Sequence, residues 1–187
     1  MTTARAYTRK PVPDITLRGP VAEDGPDVNR IVAMSPPLDA NSLYCNLLQC
    51  THFSETCIVA EQDGELIGFT SAYLLPKRQT TLFIWQVAVA ESARGQGLAK
   101  RMLLELLLRP SCREVTDIQT SIQPGNTASW RLFNHLADEL NADSNESVMF
   151  EHDKHFNGLH PEERLLHISS RAGPLATNLK SKPEYIL

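Results

Sequence analysis

Apolar and polar positions along this chain recur with two periods, and the switches between them mark its elements. Residues 15–18 read as a short strand. From Glu23 or Asp24 onward, Val28, Ile31 and Val32 recur at helical spacing, with Pro26 tolerable in the first turn. Ser35-Pro36-Pro37 ends that helix. Asp39 or Asn41 can cap a second one, with Leu43, Leu47 and Leu48 as its buried stripe. Stretches 56–61 and 66–73 read as the strands of a hairpin turning at Asp63-Gly64, followed by a loop at 76–80. Residues 82–89 carry no charge, as suits a central strand. Positions 97–109 form the clearest helix, with Leu98, Met102, Leu103, Leu106 and Leu107 on one wide face and Pro110 as its stop. A strand at 115–122, a helix at 126–140 bearing Trp130, Phe133 and Leu136, a polar turn at 141–145 and closing strands at 147–151 and 165–169 complete the pattern. Beyond Ser170 the periodicity fades, which predicts a frayed end. The expected class is α/β (α+β), a mixed central sheet flanked by helices. One domain spans 14–169, between flexible tails at 1–13 and 170–187.

Composition narrows the function classes. A chain of 187 residues with 42% hydrophobic and 21% charged content can bury a real core. The net charge of -4 argues against a nucleic-acid partner. No apolar run approaches a membrane span, and the basic start of the chain lacks the apolar stretch of a secretory signal. A cytoplasmic setting is therefore expected, with Cys45, Cys50, Cys57 and Cys112 as reduced thiols. They form no Cys-x-x-Cys pair, and the spacing of His152, His155 and His160 matches no strong zinc motif, so no metal is expected.

The chemistry-bearing feature is the passage from the strand at 82–89 into the helix at 97–109. A helix start leaves N–H groups unpaired and carries partial positive charge, a natural seat for a pyrophosphate. Gly95 and Gly97 lack the Cβ atoms that would obstruct the backbone there. A P-loop is excluded, since Gly97 is followed by Leu98 and Ala99 rather than Lys and Ser/Thr, and a Rossmann fingerprint fits poorly. The pattern that matches is Arg/Gln-x-x-Gly-x-Gly/Ala, at Arg94, Gly97 and Ala99. It resembles the acyl-CoA-binding motif of the GCN5-related N-acetyltransferases. That resemblance implies the acyl-CoA N-acyltransferase fold and acetyl-CoA as co-substrate. It implies that Val87, Ala88 and Val89 offer backbone groups to the pantetheine arm. The pyrophosphate then falls to Arg94, Gly95, Gln96, Gly97, Leu98 and Ala99. Asn126 and Ser129 follow the next strand; Asn126 reads as a helix cap, and the resemblance also turns both residues toward the pantetheine arm. Many members of the superfamily carry a Tyr acid where this chain has Phe133.

Five blocks in order, PPLDANSLYC, FIWQVAV, ARGQGLA, IQPGNTASWRLF and HFNGLHPEERLLHI, extend over about residues 15–169. Together they resemble the L-2,4-diaminobutyrate acetyltransferases of the ectoine pathway. These enzymes are dimers that acetylate the γ-amine of a diamino acid, and their product serves against osmotic stress. By that resemblance Asp39, Tyr44 and Trp85 line the diamino-acid pocket, with His160 and Glu162 from the last block. An alkyl ammonium, with a pKa of about 10.4, must lose a proton before it attacks a thioester. Asp39, Glu151 and His160 are the candidate bases, and the Val87 N–H is the candidate to polarise the thioester carbonyl. A helix cap for Asp39 and a plain core position for Trp85 remain the bland alternatives. Another small diamine as substrate, or a module that senses acyl-CoA without turnover, are the rival functions.

Overall fold

The computed structural model describes residues 14–180, so the expected tail at 1–13, and 181–187 of the other, lie outside the described residues. In chain order the elements are β1 (Thr16–Arg18), α1 (Gly25–Ala33), α2 (Leu43–Thr51), β2 (Ile58–Gln62), β3 (Glu65–Leu75), β4 (Arg78–Val89) and α3 (Leu98–Leu108). They continue with β5 (Asp117–Ile122), α4 (Thr127–Glu139), β6 (Asp143–Phe150), α5 (His152–Phe156), β7 (Glu163–Ser169) and α6 (Leu175–Lys180). The strands form one mixed sheet in the order β1-β2-β3-β4-β5-β7-β6. Only the β4–β5 pair is parallel.

Alternation along the strands sorts the core into two layers. On one face Val28, Ile31 and Val32 of α1 pack against Val59, Phe69 and Ala88. On the other, the leucine face of α3 meets Leu82, Ile84, Ile118 and Ile122, with Phe133 and Leu136 of α4 beside them. The hairpin turn expected at Asp63-Gly64 has both residues at positive φ, 53° and 81°, as a tight two-residue turn with the right twist requires.

Four expectations are corrected. The loop placed at 76–80 shrinks to a turn at Pro76 and Lys77, because Leu75 already pairs with Arg78. The polar turn placed at 141–145 yields to β6, which starts at Asp143. β6 is the sheet edge and is exposed along nearly its whole length, so it shows no apolar alternation; its pairing with β7 makes it a strand. The frayed end placed after Ser170 contains α6, whose Leu175 and Leu179 are fully buried against the α3 layer. In α2 the buried face is Asn46, Gln49 and Cys50, while Leu43 is exposed. Asn29 Nδ2 donates to Asn46 Oδ1 at 2.8 Å, and Asn46 Nδ2 donates to Gln49 Oε1 at 2.8 Å, so both carbonyl oxygens are paired out of water, while Gln49 Nε2 has no partner among the described residues.

Asp24, expected only as a helix start, also ties three segments together. Arg18 donates to both its carboxylate oxygens, at 2.7 and 2.9 Å, and the Val21 N–H adds a third bond at 2.8 Å. Burial pushes the Asp24 carboxyl up, but the Arg18 and Val21 hydrogen bonds and the Arg18 charge outweigh it and hold it below its ordinary value. The unfolded chain therefore binds this proton more readily. The stabilisation is complete above the ordinary carboxylate range and fades as pH falls through the lower folded value. Asp24→Asn is expected to cost about 1–3 kcal/mol at neutral pH in urea unfolding, a gap that narrows as pH falls below the ordinary carboxylate range.

Candidate active site

The site begins at an irregularity in β4. Ser71 of β3 faces Gln86, but the next residue, Ala72, faces Ile84, so Trp85 is an extra residue on β4. Such a bulge sends neighbouring side chains to one face. Trp85 stands edge-on to Tyr73, with ring centroids 6.4 Å apart, and Gln86 reaches the segment between α1 and α2. Pairing between β4 and β5 ends at Ile84 and Thr120, while β4 runs on to Val89. One edge of β4 is thus left open from Trp85 onward.

Backbone alternation shows which groups face that opening. The Ala90 N–H donates to Ile67 on the β3 side at 2.9 Å. Ala88 then also faces β3, and Val87 and Val89 direct their N–H and C=O groups into the gap. Val89 O is taken by Arg94 Nε at 3.0 Å, which leaves the Val87 pair toward the cavity. Ala88, expected among the contact residues, does not line the cavity: its side chain is buried under α1 and its backbone serves the β3 ladder.

A cavity of about 670 Å³ continues this gap. Its floor is Val87 and Val89, and one wall is the loop and first turn of α3, with Arg94, Gly95, Gly97, Leu98 and Ala99. Gly97 has φ 75° and Gly95 φ 76°, and a Cβ on either would meet open space. The glycines are therefore needed for their left-handed backbone, and they leave the space in front of it clear. The first hydrogen bond of α3 runs from the Arg101 N–H to Gly97 O at 3.0 Å, so the N–H groups of Leu98, Ala99 and Lys100 point out of its start. Gln96, expected beside them, has its side chain folded back to donate to Ser92 O at 3.2 Å.

The opposite wall is α4. Asn126 Oδ1 accepts from the Ser129 N–H at 3.1 Å, so Asn126 caps the helix while also lining the cavity, as Ser129 does. Sequence reasoning missed Lys100, Arg131 and His135, which join Arg94 on the cavity surface; Lys100 Nζ is paired with Glu139 at 3.1 Å, and no carboxylate is among the lining residues. In a chain of net charge -4 this is a local reversal of sign. The i, i+4 spacing of Arg131 and His135, off the face that buries Phe133 and Leu136, was the available signal. Phe133 itself is 3% exposed in the core and carries no acid.

At the other end of the gap, Ser35 to Leu38 line the cavity and Asp39 follows directly. Ser42, not Asp39 or Asn41, caps α2, accepting from the Cys45 N–H at 3.1 Å. This frees the Asp39 carboxylate, whose Oδ2 lies 3.7 Å from His160 Nε2. His160 Nδ1 is 3.0 Å from Pro161 O, which can only accept, so Nδ1 carries the ring proton. Nε2 is then the lone-pair nitrogen, with Gln123 Nε2 at 3.4 Å. The β6–β7 connection, the α1–α2 connection and the β5–α4 connection thus meet at one imidazole.

The remaining candidates fall elsewhere. Trp85 is 44% exposed, so it is not a plain core residue, and Tyr44 is 70% exposed on the first turn of α2. Glu162 pairs with Arg164 at 3.4 Å, and Glu151 pairs with Lys154 at 3.4 Å on the exposed side of α5. Glu151 is therefore not brought to Asp39 and His160. His152 Nδ1 donates to His160 O at 2.7 Å, and His155 Nδ1 accepts from the Glu151 N–H at 2.8 Å; both shape the connection. Among the described residues no group of His, Cys, Asp and Glu is placed to hold a metal. No helix there is long and apolar enough to cross a membrane. Burial pushes the Cys50 thiol up to about 11 and the Cys57 thiol up to about 12, so neither is a ready nucleophile.

Residues 29–137 match the model of the acetyltransferase (GNAT) family. The chain is 50% identical over 157 residues to an L-2,4-diaminobutyric acid acetyltransferase of Methylotuvimicrobium alcaliphilum, covering 84% of this chain and 91% of that protein. Its counterpart from Vibrio cholerae is 46% identical, with coverage of 85% and 92%. A diaminobutyrate acetyltransferase from Paenibacillus lautus, solved with L-2,4-diaminobutyric acid and coenzyme A, superposes with a TM-score of 0.81 at 39% identity, over 88% of this chain and 97% of that one. The Escherichia coli ribosomal-protein-S18-alanine N-acetyltransferase shares the fold, with a TM-score of 0.62 at 17% identity.

Proposed function

The chain belongs to the acetyltransferase (GNAT) family and, within it, to the L-2,4-diaminobutyric acid acetyltransferases, and from that premise we infer how its site works. Acetyl passes directly from acetyl-CoA to the γ-amine of L-2,4-diaminobutyrate, giving N4-acetyl-L-2,4-diaminobutyrate and free coenzyme A. One observation carries this reading: the open stretch of β4 connects a cation-lined cavity to the Asp39–His160 pair, with Val87 between.

Each group has a chemical task. The first turn of α3 and the cations of the cavity receive the phosphates. Asp39 holds the γ-ammonium, and His160 Nε2 takes its proton. The free amine then attacks the thioester carbon. The Val87 N–H donates to the oxygen that gains negative charge as the tetrahedral intermediate forms. The attacking nitrogen, positively charged in that intermediate, gives its second proton to water; collapse then breaks the C–S bond, the thiolate leaves, and His160 releases the first proton to solvent. A thiol of pKa about 8.5 is a fair leaving group, so the absence of a phenol at Phe133 does not stop the reaction, and water returns the proton. Burial pushes all four thiols up, half-buried Cys45 included, so no acyl-cysteine intermediate is called for, and both substrates bind before chemistry. Trp85 offers a ring face to the diamino acid, and Tyr44 and Glu162 bound its approach.

The same reading carries ectoine synthesis under osmotic stress, a cytoplasmic setting and a homodimer. The exposed Val148 and Phe150 on edge strand β6, with Leu159 beyond it, are consistent with a second copy covering that end. Purified protein with acetyl-CoA is expected to release thiol with diaminobutyrate much faster than with ornithine, followed with a thiol reagent and product mass. Equal rates would defeat the substrate assignment. Bound acetyl-CoA with no thiol release for any amine would leave a sensing module.

A further inference from the structure

The Asp39 side chain is 78% exposed, so little packing fixes it and its position is inherited from its backbone. That backbone is held by one buried side chain of β4. Gln86, only 6% exposed, donates from Nε2 to Asp39 O at 2.9 Å and accepts at Oε1 from Asn41 Nδ2 at 2.6 Å. Asn29 Nδ2 in turn donates to Asn41 O at 2.9 Å, which ties the far end of the segment to α1. The bulge at Trp85 makes this possible, since it keeps Gln86 on the face of that segment. The next residue, Val87, turns its N–H into the gap. One side chain therefore links the carboxylate proposed for the ammonium to the amide proposed for the thioester oxygen.

We propose that Gln86 is a positioning and specificity-determining residue: it clamps the 39–41 segment to β4 and thereby sets the reach between Asp39 and Val87, which selects the chain length of the diamino acid. This rests on the function proposed above. A buried amide that bridges two loop positions has no apolar substitute, and small misplacements of reacting groups are costly in rate.

The test compares Gln86→Met, of similar volume, with Asn41→Ala, which removes one of the same bonds from the loop side. Both are expected to raise the KM for diaminobutyrate about tenfold, leave that for acetyl-CoA within about twofold, and shrink the preference over ornithine. Placed in an Asp39→Ala background, Gln86→Met is expected to add little further. Hydrogen exchange, which needs no substrate, is expected to speed up at 38–42 and stay unchanged in α3. Parallel rises in both KM values, a full extra effect without Asp39, or unaltered exchange at 38–42 would each overturn the proposal. If Gln86→Met does not fold, Asn41→Ala tests the clamp through the same KM split and the same exchange at 38–42. A wild-type protein inactive on diaminobutyrate would refute the function instead, and the exchange readout would still decide whether Gln86 is the clamp.

Discussion

Replacing His160 with alanine lowers kcat for diaminobutyrate by about 10²–10⁴-fold, the usual worth of a positioned proton acceptor. The geometry behind this is specific. The Nδ1–H is committed to Pro161 O at 3.0 Å, so Nε2 is the free nitrogen, and it faces Asp39 Oδ2 at 3.7 Å. The bond from His152 ends on the His160 carbonyl and survives the substitution, while the ring contact with Phe156, 4.7 Å between centroids, is lost. Steady-state kinetics should therefore show the loss in kcat with little change in the KM for acetyl-CoA, and added imidazole should restore part of the rate. A variant with wild-type kcat would remove His160 from the proton path.

Asp39→Ala separates binding from chemistry. A charge-assisted hydrogen bond to an ammonium is worth about 1.5–3 kcal/mol, or about 10–150-fold, so the KM for diaminobutyrate should rise by that factor. The KM for acetyl-CoA should stay within about twofold, because the cavity that receives it is lined by Leu38 and its predecessors but not by Asp39. Loss of a helix cap is not a competing explanation, since Ser42 caps α2. If both constants were unchanged, the carboxylate would not be a ligand.

How much of this was legible in the chain depended on how each element earns its place. α3 announced itself because its face is purely apolar and its start needs glycine at positive φ. β4 was legible as a central strand, but its bulge was not, since nothing local marks Trp85 as an extra residue; the irregularity exists only against β3. α2 misled because its buried side is polar: Asn46 and Gln49 are hidden by bonding each other and Asn29, a match visible only after α1 and α2 meet. β6 and α6 were lost for opposite reasons. The strand buries almost nothing, and the six described residues of the helix are too few to show periodicity, although Leu175 and Leu179 are completely buried. Within the site, the residues legible in sequence were those in local motifs, such as Arg94 to Ala99. Gln86 and Gln123 act across long stretches of chain, where a single sequence carries no spacing signal, whereas the Arg131–His135 pair showed only as an i, i+4 spacing on the outer side of α4.

The central claim is that the open edge of β4 and the first turn of α3 form one seat for a nucleotide thioester. Calorimetric titration of the full chain with acetyl-CoA tests it most directly. Saturable binding of one molecule per chain, weakened when Gly97 is replaced by valine and the left-handed start of α3 is lost, is the expected result. A well-folded protein that gives no binding heat and no thermal stabilisation with acetyl-CoA would contradict it.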